Sequence, residues 1–135
     1  PQGFVVIDDS YNSNPRSLLE MVRTLREIEE ARRRLVVAGE MLELGERAAA
    51  FHRECGQEIA RLGMDVLIGV RGLARELVEG ARAAGMDTAF FVETPEEAGR
   101  WLSTHVREGD VILVKGSRAV GMERVIEELR RAFAS

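Results

Sequence analysis

The sequence predicts an α/β domain of three layers, a Rossmann-like, mostly parallel sheet of about five to six strands with helices on both faces. Three observations carry that expectation. Five short apolar runs alternate with five amphipathic helical patterns along the 135 residues. Strict alternation with short connections favours parallel neighbours in one sheet. The apolar runs are also continuous rather than every second residue, as in strands buried on both faces.

Taken in order, the first strand is expected over Phe4–Asp8. Asn14 suits an N-cap and Pro15 the first helical position, so a helix is expected over Pro15–Arg32. A second strand over Leu35–Ala38 leads through a glycine-bracketed loop, Gly39–Gly45, into a helix over Glu46–Leu62. Gly63 marks its end. A third strand, Val66–Val70, precedes a helix over Leu73–Ala84 that stops at Gly85. A fourth, Ala89–Val92, runs into Thr94-Pro95-Glu96-Glu97, which repeats the cap-then-proline logic for a helix over Pro95–His105. The last strand, Val111–Val114, precedes a helix over Val120–Ala134.

Composition narrows the function classes. At 135 residues the chain suffices for one domain, 1–135, with a sizeable core. It has 45% hydrophobic and 31% charged residues, and no apolar run approaches the roughly 20 residues of a membrane span. No signal peptide is visible, and a single cysteine, Cys55, fits a reducing cytoplasm. A net charge of -4 argues against nucleic acid as the main partner. Arg32-Arg33-Arg34 is best explained as cations at a helix C-terminus. The chain starts at Pro1, with a strand almost at once, which predicts a piece of a longer or processed protein.

In parallel sheets the ligand sits beyond the carboxyl ends of the strands. On that edge the sequence places Asp8–Asn14, Gly39–Gly45, Arg71-Gly72, Glu93-Thr94 and Lys115–Arg118. The first holds both asparagines and the only tyrosine of the chain. Asp8 and Asp9 could bind Mg²⁺ or a ribose hydroxyl, or simply form a turn. Asn12 and Asn14 could read an amide or a purine edge, although Asn14 is also explained as a cap. Tyr11 could stack on a ring or pack over the sheet edge. In the second segment, the glutamates could orient an amine or serve as first-turn acids of the next helix. Met41, Leu42 and Leu44 are too apolar for an open loop, which suggests packing against another domain or a closing lid. His52 is expected to be structural, and Cys55 to be inert in the core. Arg71-Gly72 and Glu93-Thr94 are chemically plain.

The last segment carries the chain's only lysine among nineteen basic residues. Backbone N–H groups opening a helix beside Lys115, Ser117 and Arg118 would make a pocket for phosphate or carboxylate. It is not a P-loop, because Leu113 and Val114 precede Lys115 where that motif needs glycine. No catalytic triad, metal-spaced cluster or dinucleotide fingerprint is visible, so the site residues include no metal ligand. The chain by itself reads as a binding module.

Two families combine acids after the first strand with a lysine after the last. A phosphoacceptor receiver domain also needs an aspartate ending the third strand, where this chain has Ile68-Gly69-Val70. The other resemblance is closer. Asp8-Asp9-Ser10-Tyr11-Asn12-Ser13-Asn14-Pro15-Arg16-Ser17, then Gly39-Glu40-Met41-Leu42-Glu43-Leu44-Gly45 with His52, then Val114-Lys115-Gly116-Ser117-Arg118 with Met122-Glu123, look like the C-terminal domain of the Mur ligases. Among these they resemble the D-alanyl-D-alanine-adding branch, MurF. One departure is Ala119-Val120-Gly121, where a glycine more often follows the arginine directly.

That resemblance implies a three-domain, ATP-dependent amide ligase of cytoplasmic peptidoglycan synthesis. Its N-terminal domain would bind UDP-N-acetylmuramoyl-tripeptide, and its central domain would supply the P-loop and most Mg²⁺ ligands. ATP would phosphorylate the tripeptide carboxylate, and the amine of D-alanyl-D-alanine would attack the acyl phosphate. This domain would close over ATP and present the dipeptide, and would be inactive alone. Carried over by position, Asp9 would meet the ATP ribose. Tyr11, Asn12 and Asn14 would line adenine or dipeptide, while Lys115, Ser117 and Arg118 would face the dipeptide carboxylate or the transferred phosphate, with Lys115 and Arg118 as the catalytic pair. A degenerate receiver-like domain and a stand-alone nucleotide-binding module are the alternatives.

Overall fold

The computed structural model describes residues 3–134. Five strands, β1 (Val5–Asp9), β2 (Arg33–Gly39), β3 (Val66–Val70), β4 (Ala89–Val92) and β5 (Asp110–Lys115), form one sheet in the order β1-β5-β2-β3-β4. Every pairing is parallel. Helices α1 (Pro15–Arg26), α2 (Ala48–Arg61) and α3 (Ala74–Ala83) cover one face. Helices α4 (Pro95–His105) and α5 (Glu123–Ala132) cover the other. Central β2, β3 and β5 are apolar on both faces because each face meets a helix layer, which is why their sequence lacks alternation.

This order places the site. The chain leaves β1, steps over to β2, builds outward to β4, then returns to insert β5 between β1 and β2. Connections leaving β1 and β2 turn to the α1–α3 face, whereas the one leaving β5 turns to the α5 face. A crevice opens where neighbouring loops diverge, at the switch point flanking β5.

The main departures from the expected element boundaries have identifiable reasons. Helix α1 ends at Arg26, where Arg34, on β2, donates to the carbonyl of Leu25 in its last turn (3.0 Å) and to that of Ile28 just beyond it (2.6 Å). The arginine run is therefore mostly strand. Arg33 forms a two-pronged pair with buried Asp110, Nε to Oδ1 at 3.0 Å and Nη2 to Oδ2 at 2.7 Å, clamping the amino ends of β2 and β5. That hydrogen-bonded pairing raises the Arg33 pKa above its ordinary value, against the opposing effect of burial. At the other boundary, α5 starts at Glu123 rather than Val120, since Gly121 has φ +76° and Ser117–Met122 coil in successive turns. A 3₁₀ turn at Gly45–Arg47 delays α2 to Ala48.

Helices α2 and α3 meet backbone to backbone. A Cβ on Gly56 would lie 1.9 Å from the Leu77 carbonyl, and one on Gly80 would lie 2.1 Å from that of Arg53. Cys55 sits beside this contact in the core, where burial, with a smaller contribution from Glu54, pushes its thiol up to about 11. Gly56→Ala should therefore force the two helices apart and destabilise the fold by about 1–3 kcal/mol, measurable by urea denaturation. Iodoacetamide at pH 8 should leave the folded protein unmodified, with thiolate on the order of one in a thousand, and label it as urea opens the core. Labelling of the folded protein at the free-thiol rate would contradict this packing.

Candidate functional site

Lys115 ends β5 opposite Asp9, which ends β1. Its side chain is 2% exposed, so its ammonium requires partners. It finds the Asp9 carboxylate at 3.0 Å and the Asn12 carbonyl, which folds the β1–α1 loop back over the sheet end. The two loops are then joined along their backbones, Gly116 N–H to Asp9 O at 3.3 Å and Arg118 N–H to Tyr11 O at 2.9 Å. The Arg118 guanidinium lies over the Tyr11 ring, 5.1 Å from its centroid.

Met122 shapes the floor. It is fully buried, and a Cβ on Gly116 would lie 2.2 Å from its side chain. Gly39, ending β2, is nearly as close at 2.9 Å. Glycine at both strand ends lets Met122 sit down, which holds Ser117–Ala119 up at the rim.

The Gly39–Gly45 loop is the third wall. Its apolar residues belong to this domain: Met41 is buried in the core on the α1–α3 side, with Leu44 against the same core and Leu42 against the opposite one. Met41 therefore needs no partner domain or lid to cover it, whereas Leu42 and Leu44 stay partly exposed. His52 holds the loop. Fully buried on α2, it accepts the Met41 N–H at Nε2 (2.9 Å) while Nδ1 donates to the Ala48 carbonyl (2.7 Å), which fixes the tautomer. Glu40 caps α3 by accepting the Leu73 N–H at 2.9 Å. Neither reading offered for Glu40, amine orientation or first-turn acid, matches that role.

These three loops enclose a cleft of about 290 Å³ lined by Tyr11, Asn12, Ser13, Leu42, Glu43, Ser117, Arg118 and Ala119. Two of its features stand out. Glu43 holds φ +61°, an uncommon conformation for a residue with a side chain. The hydroxyl oxygens of Ser13 and Ser117 are buried without a hydrogen-bond partner among the described residues, at a typical cost of about 1–3 kcal/mol each. A larger cavity of about 380 Å³ lies between β1 and α5, walled chiefly by Phe4, Ile126, Leu129 and Phe133. Of the candidate residues it gathers only Asp8.

The expected residues therefore divide. Tyr11, Asn12, Ser117 and Arg118 share the cleft. Lys115 and Asp9 stand together behind it; the Asp9 side chain is one-third exposed, leaving it open to a further donor. Asn14 caps α1, accepting the Ser17 N–H at 2.9 Å while Ser17 Oγ accepts the Asn14 N–H. Asp8 accepts from Ser10 N–H and Oγ–H in a tight turn. Because successive strand residues face opposite sides, Asp8 and Asp9 cannot chelate one ion together. The anion pocket at a helix start is also revised, since Lys115–Arg118 precede a coil of turns rather than α5 itself.

Sequence reasoning missed Ser13 and Arg71. Arg71, at φ +74° after β3, lies 3.7 Å from Glu40 and donates to the Ala119 carbonyl at 3.4 Å. An arginine before glycine at a strand end was the available signal; nothing in the sequence singled out Ser13.

Comparison with known proteins follows the same map. Residues 1–118 match the family model described as the Mur ligase, glutamate ligase domain. The chain is 37% identical over 147 residues to the UDP-N-acetylmuramoyl-tripeptide–D-alanyl-D-alanine ligase of Mycobacterium tuberculosis, covering 94% of this chain and 29% of that protein. It is 28% identical over 128 residues to the same ligase of Bacillus subtilis, covering 94% and 28%. Among solved structures it is similar to the MurF ligase of Thermotoga maritima in complex with ADP, with a TM-score of 0.77 and 31% identity over 97% of this chain and 29% of that one. MurF of Acinetobacter baumannii gives a TM-score of 0.82 at 29% identity, with the same coverage. The chain thus spans less than a third of the length of these relatives. With its family motifs brought to one cleft and the fold shared with these ligases, the chain belongs to the Mur ligase family, as a C-terminal, glutamate-ligase-type domain.

Proposed function

We propose that this chain is the closing domain of a longer, three-domain ligase that joins D-alanyl-D-alanine to UDP-N-acetylmuramoyl-tripeptide in cytoplasmic peptidoglycan synthesis. The observation that carries the reading is the convergence of the three loop motifs on one polar cleft at the switch point. The relatives named for this reaction, and the one solved with ADP, support it.

The division of labour follows from what the cleft holds. It has no cradle for a triphosphate, so ATP phosphates and Mg²⁺ are assigned to the central domain, where ATP converts the tripeptide carboxylate to an acyl phosphate. Asp9 is assigned to the ATP ribose, which its half-open carboxylate fits as a hydrogen-bond acceptor. Tyr11 and Asn12 offer a ring face and an amide at the rim for adenine or dipeptide, while Asn14, whose side chain caps α1, is assigned to shaping the same loop. Arg118 and Ser117 supply donors for the dipeptide carboxylate or the transferring phosphoryl oxygens. Lys115 acts through position: paired with Asp9 and Asn12, it sets both loops at the distance the ligand needs. Closure over the central domain would exclude water from a hydrolysable acyl phosphate.

The test is dipeptide-dependent ADP release by the full-length enzyme carrying Lys115→Met, which keeps the stem and removes the ammonium. Loss of at least about a hundredfold in kcat/KM, with the domain still folded by circular dichroism, is the expected result. An unchanged rate would remove Lys115 from the mechanism, and a wild-type enzyme that releases no ADP with dipeptide would remove the ligase reading itself.

A further inference from the structure

Of the residues lining the cleft, only Glu43 and Arg118 are charged, and they come from different loops. Arg118 makes no ion pair among the described residues; its guanidinium rests on the Tyr11 ring. Glu43 is likewise without an ion-pair partner among them, although the other carboxylate of its loop, Glu40, is committed to Arg71 and the start of α3. Its backbone is held at φ +61° by a loop anchored on both sides. Upstream, Met41 is buried and bonded to His52; downstream, Gly45 turns at φ +74°. A strained carboxylate at a cleft, fixed by a buried strut, is the pattern of a residue placed for a ligand. Leu42 and the Tyr11 ring supply apolar surface in the same cleft, and the orphaned Ser13 and Ser117 hydroxyls supply unclaimed hydrogen-bonding groups.

We propose that the cleft reads both ends of a zwitterionic amine acceptor, with Glu43 receiving its ammonium and Arg118, backed by Ser117, its carboxylate. Small aliphatic side chains lie over Leu42 and Tyr11, and Ser13 bonds the intervening peptide group. Glu43 is thereby the specificity residue that separates free amines from acylated ones. The inference rests on the ligase reading above.

Full-length enzyme distinguishes the two. Glu43→Gln should raise KM for D-alanyl-D-alanine about ten- to a hundredfold, the range for losing a charge-assisted contact, and leave KM for ATP unchanged. The inhibition constant of N-acetyl-D-alanyl-D-alanine, which has no ammonium, should be the same in wild type and variant. Glu43→Gly, which suits the positive φ and keeps the loop, should give the same dipeptide defect with an undiminished melting temperature. An unchanged dipeptide KM in either variant, or an N-acetyl-dipeptide weakened in parallel, overturns the assignment while the ligase reading stands. Wild-type enzyme without dipeptide-dependent turnover overturns both.

Discussion

The buried ammonium of Lys115 is the constraint around which the functional edge is arranged. A charge that is 2% exposed cannot stand without compensation, and β5 delivers it between two neighbouring strand ends. Asp9 lies in register beside it, and the Asn12 carbonyl completes the coordination only if the β1–α1 loop curls back. That curl brings Tyr11 under Arg118 and aligns the two backbones for their hydrogen bonds. Arginine would serve poorly here: its planar fork needs more room than a space closed by Asp9 and Asn12 leaves. In a chain that otherwise uses arginine throughout, the single lysine sits where a compact charge is required.

The Arg33–Asp110 clamp and the candidate site occupy opposite ends of the same strands. At the amino ends, Arg33 and Asp110 satisfy one another, and Asp110 also accepts the Arg107 N–H at 2.8 Å. At the carboxyl ends the arrangement is incomplete. Two hydroxyls lack partners, and the non-glycine residues with positive φ, Glu43 and Arg71, both follow strand ends on this edge. Polar groups satisfied at one end and left open at the other favour the second as the place where a ligand would find unclaimed hydrogen-bonding groups.

The fold was legible because its signals are local. Continuous apolar runs, the Asn14-Pro15 and Thr94-Pro95 caps and the glycines at 63 and 85 mark elements through short-range chemistry, and they landed within a residue or two. The misses involve long-range partners. Arg34 satisfies carbonyls at the end of α1 from the strand that follows, and Met122 shapes a loop by filling space against Gly39 and Gly116. Met41 looked exposed because a loop was assumed to be surface, whereas its neighbours fold it into the core. That Tyr11, Asn12, Ser117 and Arg118 would meet on one edge was legible from polarity at the strand ends and from the family resemblance. The roles were less so, since spacing alone cannot show that Asp8 and Asp9 face apart, that Asn14 is used by its own helix, or that Lys115 is enclosed.

Under the proposed function the cleft is half a site, and electrostatics says why closure would matter. Tyr11 is 60% exposed, and Glu43 and Arg118 lie open to solvent. Two charges 4 Å apart attract by about 1 kcal/mol in water but about 4 kcal/mol at the effective dielectric of a covered protein surface. A ligand held between Glu43 and Arg118 therefore gains little until another surface displaces water from the rim. Under the proposed function that surface is the central domain, and the acceptor would be gripped most firmly when the acyl phosphate is also shielded. Weak capture by the open domain and strong capture on closure then follow from one cause, the exposure of the same few side chains.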